Sequence, residues 1–138
     1  MRKIVIFLII AVLAGIGIGY YFYSKPVPSL VDETPVAVLT ADELCQDYQE
    51  DETAANTSYL DKVIEVSGSV SSILQDTSGT VLMLGTESGF YSVSCKLEPG
   101  MEVLPGTKEG SIVRLKGMVN GLNLVDVNMN RCVPMPAN

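Results

Sequence analysis

The chain contains no histidine and no tryptophan, and three cysteines in 138 residues. Without histidine there is no Ser-His or Cys-His nucleophile pair, and the commonest zinc ligand is missing. Positive charge is scarce too: nine Lys and Arg stand against 16 Asp and Glu, a net charge of −7. Nucleic-acid affinity rests mostly on neutralising phosphate charge, so an acidic surface opposes it. Such a surface favours solubility and cationic partners. A Ser–Lys dyad needs a buried lysine beside the nucleophile. Lys62, Lys96 and Lys116 all fall at positions expected to be strand-exposed. The chain is therefore expected to work without enzymatic activity, cofactor or metal.

What is present begins with a long apolar run. Arg2 and Lys3 precede an uncharged stretch from Ile4 to Tyr23, and Lys25 closes it. About 20 apolar residues at 1.5 Å rise span a hydrocarbon core of roughly 30 Å. Tyr20, Tyr21, Phe22 and Tyr23 cluster at the far end, as aromatic rings do at a membrane–water interface. Basic residues stay cytoplasmic, and two precede the run against one after it, which predicts N-terminus in and C-terminus out. A cleaved signal peptide is the alternative, with Val12-Leu13-Ala14 as a weak cleavage site. Cleavage there leaves Gly15 to Tyr23 as an apolar new terminus. Cys45 lies too far downstream to be a lipidated N-terminal cysteine. Gly15 and Gly19 form a small-residue pattern that admits close helix pairing, and with it a homodimer. Setting Arg2 and Lys3 aside lowers the net charge of the exported part to about −9.

Residues 1–25 are thus read as a transmembrane signal-anchor, 26–39 as a linker and 40–138 as one domain. The linker contains Pro26, Pro28 and Pro35 and should be extended and stiff. Thr40 and Glu43 have the spacing of a capping box. Leu44, Tyr48, Asp51 and Ala55 continue at helical spacing to about Asn56. The other face of that helix carries Asp47, Glu50 and Glu52, expected to be solvated.

After Leu60 the apolar period changes from helical to two. Lys62 to Leu74 reads as a long strand with Ile64, Val66 and Val70 inward and Gly68 as a bend. Thr80 to Gly85, Phe90 to Leu97, Ser111 to Val119 and Leu122 to about Arg131 read as four more. The third points Tyr91, Val93, Cys95 and Leu97 inward, and the fifth Val125, Val127 and Met129. Asn120-Gly121 suits the hairpin turn between the last two. Five short strands, the first long and bent, with a Pro/Gly-containing connection between the third and fourth, fit an OB-fold barrel. The fold class is mainly β, preceded by an amphipathic helix.

The run Asp61-Lys-Val-Ile-Glu-Val-Ser-Gly-Ser-Val-Ser-Ser-Ile73, followed by Val93-Ser-Cys95, Glu109-Gly-Ser-Ile-Val-Arg-Leu-Lys-Gly117, Leu124-Val-Asp-Val127 and Cys132, resembles the tRNA_anti-like family of OB-fold proteins. Ala54, Ala55, Asn56 and Tyr59 of the preceding helix fit as well. The resemblance covers about Ala41 to Val133. It implies an OB barrel. Its name records a remote likeness to tRNA anticodon-binding barrels. Some members carry a cysteine where Val119 stands here, so their cysteine pattern does not transfer.

OB barrels bind on the face of their second and third strands and the flanking loops. That places Phe90, Ser92, Ser94 and Lys96 as the candidate ligand-binding residues. Base stacking wants several exposed aromatics and a basic groove, and this face offers one Phe and one Lys. Asp126, Asn128 and Asn130 open like a calcium loop but lack its glycine and later glutamate, so they read as a polar outer strand face. Cys95 and Cys132 fall on strands that neighbour each other in such a barrel. A bridge between them would close a loop worth roughly 3–4 kcal/mol, and an oxidising compartment admits it. Cys132 has the opposite parity to Val127 and Met129, which argues against the bridge unless a bulge intervenes. Cys45 reads as a buried small apolar residue. The functional expectation is a membrane-anchored, periplasmic or otherwise extracytoplasmic binding module for an envelope protein or oligosaccharide. A nucleic-acid-binding OB domain and a structural envelope component without a small ligand are the alternatives.

Overall fold

The computed structural model describes residues 2–24 and 29–136. Lys25, Pro26 and Pro28, expected to close the anchor and stiffen the linker, lie outside the described residues, as does the end of the tail. Arg2–Tyr23 forms one helix, α1, of 22 residues. Such a helix extends about 33 Å. Its stretch Val5–Tyr23 is long and apolar enough to cross a membrane by length and composition, and none of it is buried inside the protein.

The remaining elements are a 3-10 turn at Leu30–Asp32, β1 (Val38–Thr40), α2 (Ala41–Glu50), α3 (Glu52–Tyr59), β2 (Val63–Asp76), β3 (Gly79–Gly85), β4 (Ser92–Leu97), β5 (Ile112–Asn123) and β6 (Asp126–Met135). The strands form a six-stranded mixed sheet in the order β1-β2-β3-β4-β6-β5. A further β2–β5 pairing closes β2 to β6 into a ring of hydrogen bonds. β1 adds to β2 in parallel outside that ring. Inward residues fill its centre: Ile64, Val66, Leu84, Val93, Leu115 and Val127 are each 0% exposed. Burying one such side chain contributes about 1.5–3 kcal/mol.

The helical segment is two helices where the pattern suggested one. Asp51, extended at φ −156°, ends α2 and caps α3 through its carboxylate, which accepts from Ala54 N. The capping box of α2 is present as expected: Glu43 N donates to Thr40 Oγ1, and Thr40 N to Glu43 Oε2 at 2.8 Å. Tyr48 Oη donates to Asn56 Oδ1, and Tyr59 Oη to Asp47 Oδ2 at 2.7 Å, tying the two helices together. That carboxylate contact, with burial second, pushes the Tyr59 phenol up to about 12. α2 lies against the ring at Gly68, where an added Cβ would stand 2.9 Å from Ala41 Cβ.

Ser29 onward belongs to the domain, although the segment to Leu39 reads as a spacer. Leu30 is 2% exposed and packs with Val63 and Val133. Lys116 Nζ donates to the carbonyls of Val31 and Glu33, each at 2.9 Å. Lys116 is consequently 6% exposed and not on an open strand face, because this segment covers it. Glu65 is covered in the same region and ion-pairs with Arg114.

The last hairpin also differs from expectation. β5 runs on to Asn123, and the turn falls at Leu124–Val125. Asn120-Gly121 sits instead in a register shift of β5 against β6, with Gly121 at φ +102°. The positive φ that such residues tolerate is used for a bulge here and not for a turn. Val125, expected inward, is 42% exposed in the turn.

Candidate functional site

Period-two alternation on β4 buries Val93, Cys95 and Leu97 and leaves Ser92, Ser94 and Lys96 on the outer side. Their neighbours follow from register. Ser94 and Lys96 lie opposite Met83 and Val81 of β3, and Val81 lies opposite Leu74 of β2. On the other side Ser92 and Ser94 lie opposite Asp126 and Asn128 of β6. The outer surface therefore runs from an apolar stripe, through two serines and a lysine, to a carboxylate and an amide. Ser92 Oγ donates to the Asp126 carboxylate, and Asn128 Nδ2 donates to Asp126 O at 3.3 Å. Asn130 Oδ1, further along β6, is buried without a hydrogen-bond partner.

Of the four residues expected from sequence, Ser92, Ser94 and Lys96 share this face. Phe90 does not. It precedes β4 in a turn and is 79% exposed at one end of the sheet. Ser92 N donates to Val125 O at 3.2 Å, which brings the β5–β6 turn to the same end. Leu124 in that turn is 89% exposed and holds φ +58°. Sequence reasoning passed over Leu124 because leucine is neither a turn residue nor a polar one.

A cleft of about 870 Å³ opens nearby, between α2 and the β3–β4 loop. Asp42, Gln46, Glu50 and Glu87 are among its lining residues. Asp42 Oδ1 accepts from Glu87 N at 2.7 Å and joins the loop to the helix. Cys45 also borders it but is 1% exposed. Burial first, then the carboxylates of Asp42 and Asp126, push its thiol up to about 12. A thiol held there stays protonated at neutral pH and is a poor nucleophile or metal ligand. Among the described residues no group of three or more His, Cys, Asp or Glu is arranged to hold a metal ion.

The parity objection to Cys132 is answered by a bulge. Between Lys116↔Val133 and Met118↔Asn130, two residues of β6 face one of β5. Arg131 takes the left-handed conformation, φ +52°, and rephases the strand so that Cys132 turns inward to 0% exposure. Cys95 is likewise 0% exposed, and its Sγ lies 3.9 Å from Met129 Sδ. Burial, followed by a hydrogen bond and charge interaction with Cys95, raises the Cys132 thiol. The two sulfurs are thus neighbours, and all three cysteines are free thiols in this structure.

The tRNA_anti-like sequence model matches residues 1–133, helix α1 included. The chain belongs to the tRNA_anti-like family. It is an OB-type domain preceded by an apolar helix. No curated protein matches this tRNA_anti-like chain. Among solved structures, one match is a chain described as an aspartyl-tRNA synthetase from Leishmania major Friedlin, at 12% identity and a TM-score of 0.44. The match covers 80% of this chain and 22% of that one, so the tRNA_anti-like chain spans less than a quarter of the synthetase's length.

Proposed function

We propose that this tRNA_anti-like chain is a non-enzymatic binding module, anchored in a membrane by α1 with its domain outside the cytoplasm. The ring β2 to β6 is read as a five-stranded OB barrel, and β1, α2 and α3 as additions to it. The observation that carries the reading is the outer face of β3, β4 and β6. It offers an apolar stripe beside hydroxyl, amide and carboxylate groups, with Lys96 as its cation. Such a mixture suits a protein or oligosaccharide ligand, which presents apolar patches and hydrogen-bonding groups together.

A phosphate backbone is a poor fit. Lys62 donates to the carbonyls of Thr57 and Ser58, Arg114 pairs with Glu65, Lys116 is held by Val31 and Glu33, and Arg131 pairs with Glu98. These cations serve the fold. The same address supports a Cys95–Cys132 bridge, which needs an oxidising compartment and neighbouring sulfurs.

The test is retention of labelled tRNA on filters by the full-length chain in detergent at physiological salt. No specific retention is expected. Tight retention that falls steeply as salt rises overturns the reading in favour of nucleic-acid binding.

A further inference from the structure

The end of the sheet that carries Phe90 and Leu124 is apolar and open to solvent. Two large apolar side chains stand there at 79% and 89% exposure, with Val125 beside them at 42%. Leu124 reaches its position through left-handed backbone, which is unfavourable for a residue with a Cβ. Asn or Gly would fill that turn without strain, and either would remove exposed apolar surface. The fold therefore keeps a residue at this point that is unfavourable both for its backbone and for its solvation. Strain of this kind concentrates at ligand clamps and binding sites.

The surroundings are acidic. From Thr40 to Asp61 the sequence has seven acidic residues and no basic one. Glu87 precedes Phe90, Asp126 follows Leu124 and Val125, and the cleft bordered by Asp42, Glu50 and Glu87 opens alongside. No Lys or Arg lies between Thr77 and Cys95 or between Gly117 and Asn130. The knob is apolar, and the charged residues named beside it, a collar of Asp42, Glu50, Glu87 and Asp126, are all acidic.

Its place relative to the tether is also defined. Ser29 Oγ donates to Glu98 Oε2 at 2.8 Å, and Lys116 holds Val31 and Glu33. Tyr23 and Ser29 are six residues apart, so the clamp stands within about 20 Å of the end of α1. Val133, against which Leu30 packs, is roughly 20 Å along β6 from Asp126. The knob is at the opposite end of that strand from the tether.

We propose that Phe90, Leu124 and Val125, with the acidic cleft beside them, form the membrane-distal docking surface for a protein partner that carries an apolar recess rimmed by Lys or Arg. The proposal rests on the anchored reading above and names the partner class. Apolar area supplies the contact, and the collar selects and steers a cationic rim. An anionic lipid surface is disfavoured by the same collar.

The test places a p-benzoylphenylalanine photocrosslinker at position 124 of the full-length chain in its own membranes, with position 77, at the opposite end of the sheet, as control. The expected result is an adduct with one protein species from position 124 and none from 77. That species, identified by mass spectrometry and purified, should bind the wild-type chain in a salt-sensitive manner. Leu124→Asn should weaken binding at least tenfold while raising the melting temperature, and Glu87→Gln should weaken it a few-fold. Asparagine tolerates the left-handed backbone, so a folding defect cannot account for lost binding. No adduct, an adduct with lipid or with a second copy of the chain, or undiminished binding by Leu124→Asn overturns the proposal. Protease access to the domain reads its address separately, so failure of the anchored reading is distinguishable.

Discussion

The sulfur of Cys132 occupies the space in which residue 117 would carry a side chain. A Cβ built on Gly117 stands 2.6 Å from Cys132 Sγ and 3.2 Å from Asn130 O. The bulge at Arg131 turns Cys132 into the core, and glycine opposite it makes room. Gly117→Ala should therefore destabilise the reduced protein by about 2 kcal/mol, as overpacking does. Cys132→Ala in the same chain should recover most of that loss. Urea unfolding of the two single variants and the double variant, under reducing conditions, measures the coupling.

The neighbouring buried sulfurs of Cys95 and Cys132 predict a thiol count. Protein alkylated under denaturing conditions directly from its native membranes should take one label, on Cys45. After reduction it should take three. Three labels without reduction would leave the core thiols unbridged and remove one support for an oxidising address.

Thr40 holds Glu43 through its backbone N–H, and then through its hydroxyl, keeping the carboxyl below its ordinary value of 4.5. A carboxylate whose pKa falls on folding stabilises the fold fully above its unfolded pKa. That stabilisation disappears as pH falls through the lower folded value. The stability difference between wild type and Glu43→Gln should therefore be present at pH 7 and shrink progressively below pH 4.5. Chemical denaturation across that range checks it, and a gap independent of pH would remove the ionised carboxylate from the cap.

Lys116 is the clamp between the ring and the chain arriving from α1. Lys116→Met keeps the aliphatic packing and strips two carbonyls of their donor, at a cost of about 1–3 kcal/mol. The local consequence is more specific than the global one. Limited proteolysis should begin cutting between Ser29 and Val36 in this variant while the strands remain resistant.

These relationships divide by how far they were visible in the chain itself. The alternation Val93, Cys95, Leu97 announced β4 because β4 itself carries no bulge and β3 keeps register with it throughout, and the Thr40–Glu43 spacing announced α2 because a cap is local. Cys132 was misphased because the bulge that turns it rests on an arginine at positive φ, which no propensity flags. Asn120-Gly121 drew the hairpin turn to itself, while the chain turns at Leu124–Val125, two residues that ordinarily avoid turns. Lys116 looked exposed because what covers it comes from a segment far away in sequence. On the candidate face, Ser92, Ser94 and Lys96 followed from parity alone. Phe90 and Leu124 meet at one end only through the pairing of β4 with β6, a long-range register that no local pattern encodes.

The most direct measurement is the side of the membrane on which the domain stands. Membranes washed with alkaline carbonate should retain the full-length chain. Protease added to intact spheroplasts should then digest the domain and leave α1 in the bilayer. Release of the chain by carbonate, or protection of the domain until the membrane is broken, would contradict the account.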